Sequence, residues 1–225
     1  MIPTPAASGT PLILFGGTFD PVHRAHISAA RAVSKALQQA PVYLLPNAVP
    51  PHRPQPLADA GHRLAMLKLA IAAYPQLRLD DRELHRDGPS YTIDTLLELR
   101  HEQINRPLVL VIGADSLATL QHWYRWQEYP ALCHLAVLPR PGSAEPEQQV
   151  LNAFPRADAG ELCTLPAGRR LMLPAPNLDV SSTAIRQALA EKGDCPALDA
   201  DVLAHIHQHG LYTVAVNASP NDEDS

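Results

Sequence analysis

The sequence predicts an α/β protein built on a doubly wound, Rossmann-like parallel sheet flanked by helices. Apolar runs of strand length alternate along the chain with longer segments whose apolar residues recur at helical spacing. Residues 108–112 are five consecutive apolar residues, a pattern typical of a central parallel strand that is buried on both faces. Near the N-terminus, an apolar run leads through two adjacent glycines into an alanine-rich segment, which predicts a strand, a turn and a helix in succession.

The first strand and helix come from the segment 12–37. Four consecutive apolar residues predict a short buried strand over 12–15. Gly16 and Gly17 then occupy the expected turn. The helix over 27–37 is predicted from its alanine content and from apolar residues at helical spacing.

The second strand is predicted over 41–46, an apolar run that ends in proline. The prolines that follow are incompatible with a helix and predict an extended loop over 47–56. Asp59 is the expected N-cap of the next helix, over 62–73. The apolar side of this helix is expected to consist of Leu64, Leu67, Leu69 and Ile71.

The middle of the chain predicts two more strands and two more helices. A short apolar run predicts a strand at 77–79, and a helix over 93–103 follows a charged loop. The central strand at 108–112 comes next. After it we expect a helical stretch that contains Trp123, Tyr124 and Trp126.

The last third of the chain predicts strands at 132–138 and 171–173, separated by a helix and irregular surface over 143–168. Hydroxyl residues then open a helix that ends near Lys192. A final helix is expected over 199–209. Because parallel strands present their carboxyl ends at one edge of the sheet, the loops that follow these strands are expected to share one binding edge.

Composition and length favour one domain of ordinary size, large enough to bury a core. We expect a flexible segment at 1–11, a single domain over 12–216 and a disordered acidic tail at 217–225. The formal net charge of −5 argues against nucleic acid or an anionic membrane as a partner. No run has the pattern of a signal peptide or the length of a membrane span.

The three cysteines, Cys133, Cys163 and Cys195, are odd in number and far apart in sequence. This spacing argues against a disulfide framework and against a CxxC metal site. A reduced cytoplasm is therefore the expected location.

The first candidate site is the stretch from Gly16 to His26. Free backbone N–H groups and the positive end of the dipole gather at a helix start, which favours a bound anion. His23 and His26 are three residues apart, so their imidazoles are expected on one side of the helix, where both can donate to one oxyanion. Glycine turns and paired surface histidines are each common alone. Their combination after a strand predicts a phosphate-binding site.

The second candidate site is residues 180–186, which read Val-Ser-Ser-Thr-Ala-Ile-Arg. Taken alone, this segment is typical of a helix N-cap followed by a surface arginine. Hydroxyls, free N–H groups and the Arg186 guanidinium at one helix end also form a clamp suited to a polyphosphate.

The first stretch resembles the His-x-Gly-His signature of the nucleotidyltransferase superfamily, in the Gly-Gly-Thr-Phe-Asp-Pro-Val-His form of the nicotinate-nucleotide adenylyltransferases. The second resembles that family's Ile-Ser-Ser-Thr-x-Ile-Arg motif, with Val180 in place of isoleucine. Their joint occurrence in this order implies the adenylyltransferase type of the fold. Ala25 stands where the first motif usually has glycine, and its methyl group would lie near a phosphate at the helix start. Nucleotide affinity is the property that this exchange is expected to affect.

The resemblance extends over residues 12–212. It includes the segment 46–53, Pro-Asn-Ala-Val-Pro-Pro-His-Arg, which is similar to the family's loop beside the mononucleotide. The other matching segments are Pro-Ser-Tyr-Thr at 89–92, Gly-Ala-Asp-Ser at 113–116 and the pair Trp123 and Tyr124.

The resemblance implies transfer of AMP from ATP to nicotinate mononucleotide, which gives deamido-NAD and pyrophosphate in NAD biosynthesis. The 5′-phosphate would attack the α-phosphorus in line, with no covalent enzyme intermediate. Because this nucleophile is already an anion at neutral pH, alignment and charge neutralisation matter more than a general base. Mg²⁺ is expected with ATP, held by phosphates and water rather than by protein ligands.

The resemblance also implies roles for individual residues. His23, His26 and Arg186 are the expected catalytic residues, the histidines on the α- and β-phosphates and the arginine on the leaving pyrophosphate. The residues expected to bind ATP are Gly16, Gly17, Thr18, Phe19, His26, Gly113, Asp115, Ser182, Thr183 and Arg186. The residues expected to bind nicotinate mononucleotide are Asn47, His52, Arg53, Ser90, Tyr91, Thr92, Asp115, Trp123 and Tyr124.

Two further expectations concern specificity and Asp20. A free Thr92 hydroxyl at a helix start favours a carboxylate over an amide, which predicts nicotinate over nicotinamide mononucleotide, although a plain helix cap explains the same residue. In the family the pyridine ring stacks on an aromatic residue such as Trp123, with backbone near Tyr124. Asp20 is expected to cap the first helix, with outer-sphere contact to Mg²⁺ as the alternative.

Other functions stay open at this point. Within the superfamily they are transfer to nicotinamide mononucleotide or to phosphopantetheine, and a cytidylyltransferase with a different base pocket. A function of a different class is that of a regulator that binds a nucleotide without turnover, and Ala25 in place of glycine is the feature that would indicate it. Pyrophosphate release separates these functions. The sequence allows a monomer or a homodimer.

Overall fold

The computed structural model describes residues 10–48, 55–174 and 180–213. Six strands within these ranges form one sheet. They are β1 (Leu12–Gly17), β2 (Val42–Pro46), β3 (Leu77–Leu79), β4 (Leu108–Gly113), β5 (His134–Leu138) and β6 (Arg170–Met172). Neighbouring strands are parallel throughout, in the order β3-β2-β1-β4-β5-β6. The predicted doubly wound α/β fold is confirmed.

Helices of the described residues cover both faces of the sheet. The α-helices are α1 (Arg24–Ala36), α2 (Ala60–Ile71), α3 (Thr92–Glu102), α4 (Ala114–Ala118), α5 (Tyr129–Leu132), α6 (Gln148–Ala153), α7 (Ala159–Thr164), α8 (Ser182–Lys192) and α9 (Ala200–Gln208). Short 3₁₀ helices lie at Arg82–His85, Leu120–His122 and Trp126–Glu128.

Local sequence signals set several helix boundaries. The carboxylate of Asp59 accepts the His62 N–H at 2.8 Å and caps α2, as predicted. Ser181 and Asp199 cap α8 and α9 through the same kind of bond from side chain to backbone N–H. Gly193 ends α8 in a left-handed conformation, with a φ of +68°, that glycine adopts without steric cost.

The sheet separates two apolar cores, because successive residues of a strand point to opposite faces. Ile13 and Phe15 of β1 belong to the core under α1, α2, α8 and α9. Leu12 and Leu14 belong to the core under α3, α4, α5 and α6. β1 is hydrogen-bonded on both edges, to β2 and to β4, and is buried on both faces, so its carboxyl end is rigidly placed.

The structure corrects the placement of the glycine segment. Gly16 and Gly17 are the last two residues of β1 rather than a turn, and they pair with Leu45 and Pro46 of β2. The turn lies after them, and α1 begins at Arg24. Pairing with the neighbouring strand, which a single segment does not reveal, extends β1 by two residues.

One helix prediction is wrong and another is right only in part. The helix expected around Trp123, Tyr124 and Trp126 is instead extended at Trp123 and left-handed at Arg125, with a φ of +54°. On the apolar side predicted for α2, Leu67 is buried as expected, but the other buried residues are Arg63, Met66 and Ala70. Leu64, Leu69 and Ile71 are only partly buried.

Several expectations fall outside the described residues. These are the segment at 1–9, the loop at 49–54 with His52 and Arg53, and the tail from 214 onwards. Cys133, Cys163 and Cys195 are described, and all of them are buried free thiols. No helix within the described ranges has the length and hydropathy needed to span a bilayer.

Candidate active site

The site lies at the carboxyl ends of β1, β2 and β4, where the strand order reverses between β1 and β4. The carbonyl of Gly17, the last residue of β1, accepts the N–H of Asn47, which follows β2, at 2.9 Å. The Asn47 carboxamide oxygen is 3.4 Å from the place that a Cβ on Gly16 would occupy. The glycine segment and Asn47 are therefore neighbours at the edge where such sheets bind ligands.

Gly17 makes room for the buried ring of Phe19. A Cβ on Gly17 would lie 3.0 Å from that ring, so a larger residue would have to displace it. Phe19 has a left-handed backbone, with a φ of +50°. Its ring lies edge-on to Phe15 and His26, with centroid separations of 6.0 and 5.0 Å. Phe19 thus supports the His26 imidazole, a contact that sequence reasoning did not provide.

His23 and His26 lie side by side at the start of α1. Their rings stack with centroids 3.7 Å apart and planes 27° apart. The backbone N–H of His23 donates to Nδ1 of His26 at 3.3 Å. Because Nδ1 accepts this bond, a neutral His26 carries its proton on Nε2, where it can donate to a ligand. The predicted same-side placement of the two imidazoles is therefore present.

Burial keeps both imidazoles neutral at physiological pH. It lowers the pKa of His23 to about 4, and it lowers the pKa of His26 well below the usual value; repulsion between the two rings when both are protonated lowers the pKa of His26 further. Nδ1 of His23 is buried and has no hydrogen-bond partner among the described residues. A bound phosphate would supply the opposite charge that favours protonation of this pair.

Arg186 and the start of α8 contact the loop between β1 and α1. Arg186 donates to the Asp20 carbonyl at 2.7 Å and to the Thr183 hydroxyl at 3.3 Å. Ser182 donates to the Pro21 carbonyl at 3.2 Å. The two motifs, which are 166 residues apart at Asp20 and Arg186, thus meet in one place. Within the described residues, both hydroxyls are therefore used in bonds to the protein: Ser182 donates to a backbone carbonyl, and Thr183 accepts from the Arg186 guanidinium.

Asp20 supports this loop and does not cap a helix, because the N-cap of α1 is His23. Its carboxylate accepts the backbone N–H groups of Leu57 and Ala58 at 2.9 and 3.1 Å. It also accepts the Tyr212 hydroxyl at 2.6 Å. Sequence reasoning missed Tyr212, since nothing local marks a tyrosine near the C-terminus as a partner of Asp20.

Arg63 is a second support that the sequence did not reveal. The side chain is almost fully buried, and NH1 donates to the carbonyls of Thr18 and Asn47 at 2.8 and 3.0 Å. Burial lowers the pKa of Arg63, whereas the negative charge of Asp20 raises it. Arg63 joins the segment after β1 to the segment after β2. An arginine on an amphipathic helix is expected at the surface, so the sequence carried no signal for this role.

Aromatic residues lie at the start of α3 and after α4. The rings of Tyr91 and Tyr124 are 4.7 Å apart, and Tyr124 is exposed. Trp123 is partly buried and meets the ring of Tyr129 edge-on, with centroids 5.9 Å apart. The ring of Tyr91 thus contacts that of Tyr124, whereas the ring of Trp123 contacts the buried Tyr129.

One hydroxyl group near the start of α3 is already engaged. Ser90 is buried and accepts a bond from Arg86 at 2.7 Å. Thr92 is the first residue of α3, where the helix presents its positive end. The expected free Thr92 hydroxyl stays a prediction.

Asp115 lies in the first turn of α4, the helix that begins directly after Gly113 at the end of β4. Its carboxylate accepts the Ser143 hydroxyl at 2.6 Å and an Arg140 N–H at 2.9 Å. Both bonds, the one from Ser143 first, lower the pKa of Asp115. Asp115 is exposed and ionised at the same edge of the sheet.

The structure thus brings together the two motifs that were predicted to bind phosphate, at 16–26 and 180–186. The other predicted site residues lie in separate groups. Within the described ranges, no hydrogen bond joins Asp115, Tyr91 or Tyr124 to the histidine pair. His52 and Arg53 lie outside those ranges. The roles assigned to individual residues stay predictions.

Comparison with known proteins agrees with this arrangement. The family model described as cytidylyltransferase-like matches residues 14–188. A Serratia proteamaculans protein named "probable nicotinate-nucleotide adenylyltransferase" is 46% identical over 206 residues, covering 88% of this chain and 94% of its own length. A Yersinia enterocolitica protein of the same name is 43% identical, covering 94% of this chain and 99% of its own length.

A solved structure has the same fold. It is Plasmodium falciparum nicotinic acid mononucleotide adenylyltransferase complexed with NaAD, with a TM-score of 0.72 and 17% identity. The match covers 90% of this chain and 97% of that chain. At this level of identity the likeness concerns the fold alone.

Proposed function

This chain belongs to the cytidylyltransferase-like family and, within it, to the nicotinate-nucleotide adenylyltransferases, and from this membership we propose that it transfers AMP from ATP to nicotinate mononucleotide. The products are deamido-NAD and pyrophosphate, so the reaction is a step of NAD biosynthesis. One observation carries the proposal: Arg186, from the second motif, hydrogen-bonds to the loop that precedes the His23 and His26 pair. Two neutral donors and one permanent cation thereby lie at the edge where the strand order reverses.

The proposed reaction is a direct in-line displacement. The 5′-phosphate of nicotinate mononucleotide forms a bond to the α-phosphorus of ATP while the bond to the pyrophosphate oxygen breaks. The attacking phosphate is an anion, so no residue has to remove a proton from it. The chain must align two anions and stabilise the charge that develops on the leaving group.

His23 and His26 fit that task as hydrogen-bond donors. Their low pKa values mean that they do not present two fixed positive charges to each other in the free enzyme. The proton on Nε2 of His26 donates to a phosphate oxygen, and the phosphate charge favours protonation of the pair as negative charge accumulates. Backbone N–H groups from Gly16 to Phe19 and at the start of α1 provide further donors.

Arg186 binds the leaving pyrophosphate in this proposal. Its contacts with the Asp20 carbonyl and the Thr183 hydroxyl use two of the five guanidinium N–H groups. Remaining N–H groups can form a bidentate contact with phosphate oxygens. Ser182 and Thr183 act here by holding the loop and the guanidinium, with their backbone N–H groups at the positive end of α8.

Mg²⁺ bound to ATP would be part of the substrate and would supply charge neutralisation on the phosphates. The carboxylate in the loop, Asp20, already accepts bonds from Leu57, Ala58 and Tyr212. These bonds leave it poorly placed as a metal ligand. The ion is therefore held mainly by phosphate oxygens and water, as Mg²⁺ commonly is.

Asp115, with Gly113, accepts ribose hydroxyls in this proposal, and Asn47, His52 and Arg53 bind the mononucleotide. The pyridine ring stacks on an aromatic residue such as Trp123, with the backbone near Tyr124 close by. Its carboxylate lies at the start of α3, near Ser90 and Thr92, where the helix dipole favours a negative group. This arrangement predicts a preference for nicotinate over nicotinamide mononucleotide.

We also propose a cytoplasmic location and a monomer or homodimer that binds no nucleic acid. The net charge of −5 and the buried free thiols support the proposal. Sedimentation velocity of the purified chain determines the oligomeric state.

The decisive experiment is pyrophosphate release with Mg-ATP and one of three acceptors: nicotinate mononucleotide, nicotinamide mononucleotide or phosphopantetheine. We expect rapid release with the nicotinate substrate, a loss of at least about 100-fold in kcat with His23→Ala, and no change with His101→Ala on the exposed side of α3. Equal rates with the two mononucleotides would refute the carboxylate pocket. Binding of ATP without release from any acceptor would favour the regulator and implicate Ala25.

A further inference from the structure

A cluster of three histidines lies where α2 meets α9, apart from the catalytic groups. His62 belongs to the first turn of α2. His205 and His209 are four residues apart at the end of α9, so they share one side of that helix. Nδ1 of His62 is 3.1 Å from Nε2 of His205. One ring nitrogen from each histidine lies within 4.8 Å of the other two, and within the described residues this is the single group with such spacing.

The nitrogen–nitrogen distance between His62 and His205 is close to the distance between two ligands of one metal ion. Zn²⁺ binds imidazole nitrogen at roughly 2.0–2.1 Å in a tetrahedral site, so two ligand nitrogens on one ion lie roughly 3.3–3.4 Å apart. The nitrogens of His62 and His205 are within a few tenths of an ångström of that separation. The His209 side chain is exposed at the end of α9, which leaves it room to rotate toward the other two rings.

The donor set selects the class of ion. Imidazole nitrogen prefers Zn²⁺, Cu²⁺ or Ni²⁺, whereas Mg²⁺ prefers oxygen. An ion bound here is therefore chemically distinct from the Mg²⁺ that accompanies ATP. The carboxylate of Asp59, which caps α2 three residues before His62, adds negative charge close to the cluster.

The cluster also lies beside the supports of the active-site loop. His62 is followed directly by Arg63, which holds the carbonyls of Thr18 and Asn47. His209 is followed three residues later by Tyr212, which donates to Asp20. An ion shared by α2 and α9 would therefore restrain both supports at once.

We propose that His62, His205 and His209 form a Zn²⁺ site, completed by a water molecule, that fastens α9 to α2 behind the active-site loop. Without the ion, the same histidines form only an imidazole cluster with one hydrogen bond. Three histidines and a water are an established tetrahedral zinc sphere.

The test is metal binding to the purified full-length chain after treatment with a chelator, in the absence of ATP and Mg²⁺. We expect one Zn²⁺ per chain and a rise in Tm of about 5–10 °C when free Zn²⁺ is held near one hundred times its Kd. His62→Gln, His205→Gln and His209→Gln should each weaken binding at least tenfold. His101→Gln, an exposed histidine on α3, should not change it.

Substitution with Co²⁺ gives a readout that does not depend on the variants folding. Bound Co²⁺ should show the visible bands of a tetrahedral site with nitrogen and oxygen ligands, and no thiolate band, since all three cysteines are buried. The proposal is overturned if Zn²⁺ shows no saturable binding, if Co²⁺ gives an octahedral or thiolate spectrum, or if folded variants bind as tightly as the unchanged chain.

Discussion

Tyr212→Phe removes one hydroxyl and keeps the ring, so it isolates the bond between the end of the chain and the active-site loop. The hydroxyl donates to the Asp20 carboxylate at 2.6 Å, across 192 residues of sequence. Burial, together with the neighbouring Asp20 charge, raises the pKa of Tyr212. The phenol is therefore a protonated donor throughout the physiological range.

The expected loss follows from the partners that remain. A hydrogen bond to a charged acceptor contributes about 1.5–3 kcal/mol. Asp20 keeps the backbone N–H groups of Leu57 and Ala58, so its charge is not left without partners. We therefore expect the free energy of unfolding to fall by about 2 kcal/mol, and Tm by about 4–8 °C.

Urea unfolding followed by circular dichroism measures this loss, with Tyr74→Phe as the matched control. The Tyr74 ring contacts the Arg31 guanidinium at 4.8 Å, and its hydroxyl has no hydrogen bond among the described residues. We expect a change below about 0.5 kcal/mol for that control. A loss for Tyr212→Phe no larger than for Tyr74→Phe would refute the view that this bond holds the Asp20 loop.

Three further predictions concern the site. The pKa of His23 is about 4 in the folded chain and 6.5 when unfolded, so the unfolded chain gains a proton as pH falls between these values. The free energy of unfolding should therefore fall by about 3 kcal/mol over this range, and His23→Gln should not show this loss. If urea unfolding gives the same pH dependence for His23→Gln as for the unchanged chain, the prediction is contradicted. Gly17→Ala should lower the free energy of unfolding by about 1–3 kcal/mol, because the added Cβ would lie 3.0 Å from the Phe19 ring. A Cβ on Gly113 has no atom within 4 Å, so Gly113→Ala is the matched control. Equal Tm values for the two variants would be inconsistent with this. Arg186→Lys should lower kcat and kcat/KM about 10–100-fold in steady-state assays, because a lysine cannot replace the bidentate contacts; a rise in KM with unchanged kcat would instead show that Arg186 binds the ground state and the transition state equally.

Two buried charges of opposite sign support the site. Asp20 accepts bonds from two backbone N–H groups, and Arg63 donates to two backbone carbonyls. Each charge is stabilised by fixed hydrogen bonds, which offset the cost of removing it from water. Loss of either partner leaves the other groups unsatisfied. Both are therefore expected to be less tolerant of substitution than most surface charges of the protein.

The alternation of strands and helices, several helix caps and the two motifs at 16–26 and 180–186 were determined by the sequence itself. Asp59, Ser181 and Asp199 act on backbone groups within three residues, so a local pattern is enough to identify them. The His23 and His26 spacing likewise places both imidazoles at one helix start. Comparison with relatives confirmed the family that these motifs indicated.

Tertiary structure alone decided which distant groups hold the site in place. The extension of β1 through Gly17 depends on pairing with β2. The burial of Arg63 and the contact of Tyr212 with Asp20 depend on how α2 and α9 pack. Hydrophobic periodicity shows which side of a helix is apolar, but it does not show which neighbour that side meets or which polar group is enclosed there. Those contacts are set by the packing of the whole chain, because each joins residues that are far apart in sequence.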